Sequence, residues 1–363
     1  MSTANRDALW AQLKDRGLVD GAVPEAGDAS APWFVRVMLG IAGWIGALFL
    51  LGFIGAGCAF LLKSSGAAFA VGVGACAAAV AIFRAAPKND FVAQFGLAVS
   101  LAGQVLMAFG ASEWFDRSAS GIALYLAVQQ ALLFVVVPNF VHRLWTSWSG
   151  ALAVVYVLVE AGLFGFTPAV TTAAFAAVAL YEFKGARQGA LVRAAVYGLA
   201  LAAVQTAVLQ GDLLGEWIFD HGRHGVALGG TGVWLARIAS LGVWVGALAM
   251  LLRRENVALS SRPGHLGLLG ALILGLIAIK APGIGPATVI LLLGYANADR
   301  VLVGLGIFAQ LGSLSHYYYS LHTTLLEKSG WLVATGIGLL VVRLALRRWW
   351  PEDQNKNVEA SHA

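Results

Sequence analysis

From residue 36 onward the chain is a succession of long apolar runs broken by short polar or glycine- and proline-containing punctuation. Within a run the apolar residues are continuous, and Ala, Leu, Val and Gly predominate. An α-helix rises ~1.5 Å per residue, so ~20 such residues cross the hydrocarbon core of a bilayer. Strands of a membrane barrel would instead alternate in ~10-residue pieces. The pattern predicts an all-α polytopic bundle of about twelve spans, over 36–62, 65–83, 91–111, 119–138, 148–165, 168–183, 190–210, 233–252, 265–281, 284–298, 301–322 and 330–346. The run at 284–298 is the shortest. Residues 1–35 are polar by comparison and show no secretory signal pattern. Asn5 to Gly17 reads as a short helix with Leu9, Trp10 and Leu13 on one face, and Gly21 to Pro32 reads as a linker. The expected organisation is a cytoplasmic helix and linker (1–35), a transmembrane domain (36–346) and a cytoplasmic tail (347–363).

Composition supports this reading. The chain is 59% hydrophobic and only 12% charged, with a mean hydropathy of +0.77, whereas soluble domains carry about 25% charged residues. Too few polar groups exist to cover a water-exposed surface, so lipid must be the solvent for much of the protein. The net charge of +5 does not point to nucleic acid, because the basic residues lie between apolar runs, where they set orientation. If the N-terminus is cytoplasmic, most lysines and arginines fall on the inner side, with clusters at Arg84 and Lys88, at Arg253, Arg254 and Arg262, and at Arg343, Arg347 and Arg348. Lys63, Arg117, Arg223, Arg237, Lys280 and Lys328 are left outside. That asymmetry predicts both termini in the cytoplasm and an even number of spans.

Two stretches resemble each other. Trp33-Phe-Val-Arg36 followed by Trp44-Ile-Gly-Ala-Leu48 echoes Trp234-Leu-Ala-Arg237 followed by Trp244-Val-Gly-Ala-Leu248. On the expected topology the two spans cross in opposite senses, as in the inverted repeats of transporters. Chance similarity between Gly/Ala/Leu-rich helices is the competing explanation. Cys58 and Cys76 both lie inside apolar runs and read as small packing residues.

Polar groups near membrane-like sequence are the candidates for function, since each needs a partner or a wet cavity. Glu160 precedes the break Gly-Leu-Phe-Gly-Phe-Thr-Pro168, and Lys280 precedes Ala-Pro282-Gly283-Ile-Gly-Pro286. Short or broken helices expose backbone groups that only a protein interior or a cavity tolerates. Glu160 and Lys280 are therefore expected to share an outward cavity; the alternative is that both reach the surface and stay idle. Further on, His316, Ser320, Thr323 or Thr324, and Glu327 share one face if that helix continues, with Tyr319 and His322 beside them. The sharp reading is a polar wall of a binding site with His316 as proton carrier or ligand donor; the plain one is an interfacial girdle. The expected vestibule thus comprises Glu160, Lys280, Pro282, Gly283, His316, Tyr319, Ser320, His322 and Glu327. Asp220, His221 and His224 in the loop after 210 are too few for a convincing metal set. Gln104, Gln129, Gln130, Gln205 and Gln310 fall within spans and read as interhelical hydrogen-bonding groups. No phosphate loop, His-Glu-x-x-His or nucleophile elbow is present, so no enzyme activity, cofactor or metal is predicted.

Ala281-Pro-Gly-Ile284, Leu293-Gly-Tyr295 with Asp299-Arg300, Tyr318-Tyr-Ser-Leu321 with Thr324-Leu-Leu-Glu-Lys-Ser329, and Arg343 resemble a bacterial multi-pass family known as domain of unknown function 4401. Pro32-Trp-Phe-Val-Arg36 through Leu48 is similar too. The family brings no assigned activity. The resemblance implies a bacterial inner-membrane location and a membrane-anchored partner carrying a Gly-Asp-Tyr-x-x-Leu-x-Tyr motif. Besides membrane lipids and that partner, no ligand class stands out. Two functions follow as expectations: transport or export of a small or lipidic solute through an outward-facing vestibule, or a non-catalytic scaffold subunit that holds the partner.

Overall fold

The computed structural model describes residues 3–16, 33–57, 64–85, 89–181, 189–210, 230–278 and 283–320, together with 329, 330, 333, 337, 340 and 344. Among these the protein is all-helical, with no strand. The chain divides into two compact units, Met1–Glu113 and Trp114–Ala363.

The first unit holds α1 (Thr3–Asp15), α2 (Trp33–Gly57), α3 (Ser65–Ala85) and α4 (Asp90–Ser112). Helix α4 packs against both α2 and α3. Small residues bring α3 and α4 together: a Cβ at Gly72 would meet the Gly103 carbonyl, and one at Gly103 would meet Cys76 Sγ. Such close approach is how helices associate where lipid removes the hydrophobic driving force. Cys76 is a free, buried thiol, as a packing role requires; Cys58 lies outside the described residues.

The second unit comprises α5 (Ala119–Val136), α6 (Phe140–Glu160), α7 (Thr167–Tyr181), α8 (Gly189–Leu209), α9 (Gly230–Arg254), α10 (Arg262–Ala278), α11 (Ile284–Ala296) and α12 (Arg300–Ser320). Helix α6 packs on α5 and α8, α7 on α8 and α9, and α11 touches α7, α8, α9, α10 and α12. The shortest run of the sequence is therefore the hub of this unit. Its Ile284, Pro286, Ala287, Val289, Ile290, Leu293 and Gly294 are all buried. A Cβ on Gly306 of α12 would strike the backbone of Leu291, and one on Gly294 would strike Leu302, so glycine permits this contact from both sides. Polar bridges join neighbours: Trp148 Nε1 donates to Gln205 Oε1 at 2.9 Å, Thr171 and Thr206 pair hydroxyls at 2.9 Å, and Thr288 Oγ1 donates to Gln310 Oε1 at 3.3 Å. Gln205 and Gln310 thus bridge helices, and Gln104 donates to Ser100 one turn back on its own helix.

Among the described residues, more large apolar side chains are exposed than buried, among them Val301, Phe308 and Leu311 along α12 and Leu132 and Val135 along α5. The interior is built mainly of Ala, Thr and other small residues with a few large aliphatics. In water such a surface would be one continuous sticky patch; in lipid it is the solvated face. Helices α3, α4, α5, α7 with its leading 3-10 turn, α8 and α9 are each long and apolar enough to cross a membrane. The protein is therefore membrane-embedded. Among the described residues, α6 and α12 fall below that mark, with polar residues at one end of each, as do α11, which is short, and the described part of α10. The twelfth expected span, 330–346, lies mostly outside the described residues; Val333, Ile337, Leu340 and Leu344 within it are helical and exposed.

One end of the second unit is latched by the turn Asn297-Ala298-Asp299 between α11 and α12. Asp299 Oδ1 caps α12 by accepting from the backbone N–H of Val301 at 2.9 Å. Its Oδ2 accepts from the Tyr197 hydroxyl at 2.7 Å and from Arg193 at 3.1 Å. Asn297 donates to the Ala179 carbonyl at 3.0 Å and accepts from Arg254 at 2.8 Å. Five helices meet at this turn. Burial alone would raise the Asp299 carboxyl; the hydrogen bonds from Tyr197, the Leu302 N–H, Arg193 and the Val301 N–H outweigh it and hold the group below its ordinary 3.8.

Candidate functional site

At the opposite end of the second unit lies a cavity of about 690 Å³. Its cause is a length mismatch. At ~1.5 Å per residue, the 13-residue α11 is only ~20 Å long, against a hydrocarbon core of ~30 Å. With its other end fixed by the Asp299 latch, α11 stops short, and its first turn (Gly283, Gly285, Pro286) contributes to the cavity wall together with α7, α8, α9 and the end of α12. At Gly283 the side chain of Ser313 on α12 leaves no room for a Cβ.

The α6–α7 connection forms one rim. Gly162, at φ 76°, occupies the left-handed position that ends α6, with Leu163 N–H bonding back to the Leu158 carbonyl at 2.8 Å and Gly162 N–H to that of Val159 at 2.9 Å. The chain then makes a 3-10 turn, Phe164–Phe166, whose carbonyls at Phe164 and Gly165 are held by Gln210 Nε2 at 2.9 and 3.1 Å. Gln210 thus fixes that rim to the end of α8.

The walls are largely apolar, formed by residues such as Ala169, Leu241, Trp244 and Val289, with Thr172, Ser240, Ser313, His316, Tyr317 and Arg237 as the polar groups. Arg237 is the one permanently charged side chain among the described lining residues, and no carboxylate lines the cavity among them. Its guanidinium carbon stands 5.3 Å from the Trp234 ring centroid, a cation–π contact. Thr172 is 4% exposed, and its Oγ1 has no hydrogen-bond partner among the described residues.

Of the residues singled out in the sequence, Gly283 and His316 line the cavity. Glu160 ends α6 and engages Tyr156 one turn earlier; it does not line the cavity. Tyr319 is 79% exposed and stacks edge-on with Tyr318 at 5.5 Å between ring centroids. Ser320 closes α12. Lys280, Pro282, His322 and Glu327, and with them the expected Glu160–Lys280 pair, lie outside the described residues, as does the loop holding Asp220, His221 and His224. Sequence reasoning missed Thr172, Gln210, Ser313 and, above all, Arg237. The signal for Arg237 was present: it sits inside the apolar run 233–252, and an ionisable residue within a span is by default a functional candidate. Counting it only as an outer charge hid it. Thr172 and Ser313 carried no such signal, because small hydroxyl residues are ordinary helix-packing groups.

Comparison with curated proteins and with solved structures finds no match. A family model described as a domain of unknown function (DUF4401) matches residues 32–349. That range takes in every helix from α2 to α12, the latch and the cavity. The chain therefore belongs to the family described as domain of unknown function (DUF4401).

Proposed function

We propose that this chain is a twelve-span protein of the bacterial inner membrane, with both termini in the cytoplasm, that takes up a small or lipidic solute in the cavity for transport or export. The observation that carries the reading is the cavity itself, bounded in part by α7, α8 and α9, which are long and apolar enough to cross a membrane. Charge supports its outward orientation. Arg143, Arg193, Arg253, Arg254, Arg262 and Arg300 cluster toward the latch end, whereas Arg117 and Arg237 lie toward the cavity end. By the positive-inside rule the latch is cytoplasmic. Purification in mild detergent followed by native mass spectrometry tests the reading. A small molecule retained at one per chain, and lost when Ala169→Trp fills the cavity, is the expected result. A ligand-free chain holding a stoichiometric membrane-anchored protein, such as one with the Gly-Asp-Tyr-x-x-Leu-x-Tyr motif, would replace transport with a scaffold role.

A further inference from the structure

The chemistry of the walls narrows the solute, granting the cavity reading above. At ~30 Å³ per small group, roughly the share of one water in the liquid, a cavity of about 690 Å³ holds a ligand of about twenty non-hydrogen atoms. Most of the wall is aliphatic or aromatic, so most of that ligand must be apolar. One position breaks the pattern: Arg237, the sole fixed charge among the described lining residues, with no carboxylate among them to neutralise it. Trp234 holds the guanidinium by its ring face, and a cation–π contact leaves the planar N–H fork available to a carboxylate or phosphate. Two further features favour a negative or hydrogen-bonding group. Thr172 Oγ1 is buried without a partner among the described residues. The amino end of α11 opens at Gly283 and Gly285 with no side chain capping it, and helix amino ends attract anions. A neutral hydrocarbon would leave the exposed Arg237 without an anion beside it; a soluble anion would leave the apolar walls unused.

We propose that the cavity binds a single-chain acidic amphiphile, a long-chain fatty acid in type, with its anionic head on Arg237 and its chain along Leu241, Trp244 and Val289. A two-chain phospholipid carries more than twice the atoms the volume admits. Arg237 is the specificity-determining residue: it selects the anion, while the aliphatic walls accept the chain whatever its head.

The test uses full-length protein in nanodiscs of neutral phosphatidylcholine, titrated with dibromostearic acid, whose bromines quench tryptophan at contact. Saturable quenching is expected, reduced in Trp244→Phe. The matching brominated alcohol should bind at least tenfold more weakly. Arg237→Gln should lose that preference and Arg237→Lys keep part of it, whereas Arg117→Gln changes nothing. Equal binding of acid and alcohol by the unaltered protein would overturn the head-group assignment and leave the cavity reading intact. Stronger saturable quenching by a brominated two-chain phosphatidylglycerol would overturn the single-chain assignment. Quenching by no probe, unchanged by Ala169→Trp, would sink both this inference and the reading beneath it. The acid–alcohol comparison needs no variant, so a poorly folding Arg237→Gln does not blunt it.

Discussion

Asp299 shows how one side chain can organise a membrane fold. Its carboxylate caps α12 and receives Tyr197 and Arg193 from α8. Removing it leaves the Tyr197 hydroxyl and the first amides of α12 without their acceptor. Asp299→Ala should cost about 1–3 kcal/mol, the sum of a lost cap and a lost charged acceptor; half-exposed Arg193 adds little to that. Thermal unfolding in detergent measures it. The sign of the pH effect follows from the lowered pKa. The stabilisation is fully present above the ordinary 3.8 and is lost as pH falls through the lower folded value. Stability should therefore drop on acidification below about pH 4, with a smaller drop in Asp299→Asn. At the cavity, Gly283→Ala forces its new methyl against Ser313, an overpacking that should cost about 1–3 kcal/mol. A second change, Ser313→Gly, should restore most of the melting temperature.

At the level of elements, helix length is the decisive property. Eleven of the twelve apolar runs overlap helices α2 to α12, although α6 (Phe140–Glu160) begins and ends ahead of its expected run 148–165; an unbroken run of helix-forming apolar residues has no other way to satisfy its backbone in lipid. The breaks were legible in part: Gly162 lies in the glycine- and proline-containing break before Pro168, whereas the turn at 297–299 begins inside the expected run 284–298. What could not be read was the consequence of a short run. The 284–298 stretch gives the poorest span by length, yet α11 packs against five other described helices and its first turn lines the cavity. The rim is equally a matter of connections. Gly162→Ala places a Cβ at φ 76° and should cost about 1–2 kcal/mol. Gln210→Ala frees the Phe164 and Gly165 carbonyls, and faster amide exchange across 161–166 should report it, with little change at the Asp299 turn.

Across the whole molecule, orientation is the testable property. In a background with Cys58 and Cys76 replaced by Ser, a cysteine at Ser118 should react with a membrane-impermeant maleimide applied to the outer face of the membrane. One at Ser261 should react only after the membrane is opened. The reverse result would turn the cavity to the cytoplasm and the proposed export into uptake from that side. Charge distribution alone supplies this expectation, since the free energy of placing arginines favours the cytoplasmic side.

The sequence by itself determined the class of the molecule. Continuous apolar runs and scarce charge admit only helices in lipid, and the placement of glycine and proline fixes where those helices end. Those are local properties, written in neighbouring residues. Only the tertiary structure decided which polar groups meet. Asp299 stands 106 and 102 residues from Arg193 and Tyr197 in the chain, and the three hydrogen-bond as one cluster. Arg237, Thr172, Gly283 and His316 come from four helices and line one cavity, while Glu160, which looked their natural companion, turns to Tyr156 on its own helix. The physical reason is that nearly uniform Ala, Gly and Leu surfaces can pack in many ways. Which helices become neighbours, and how far a short one reaches, is settled by close contacts such as those at Gly294 and Gly306 and by a few long-range hydrogen bonds, none of which leaves a pattern along the chain.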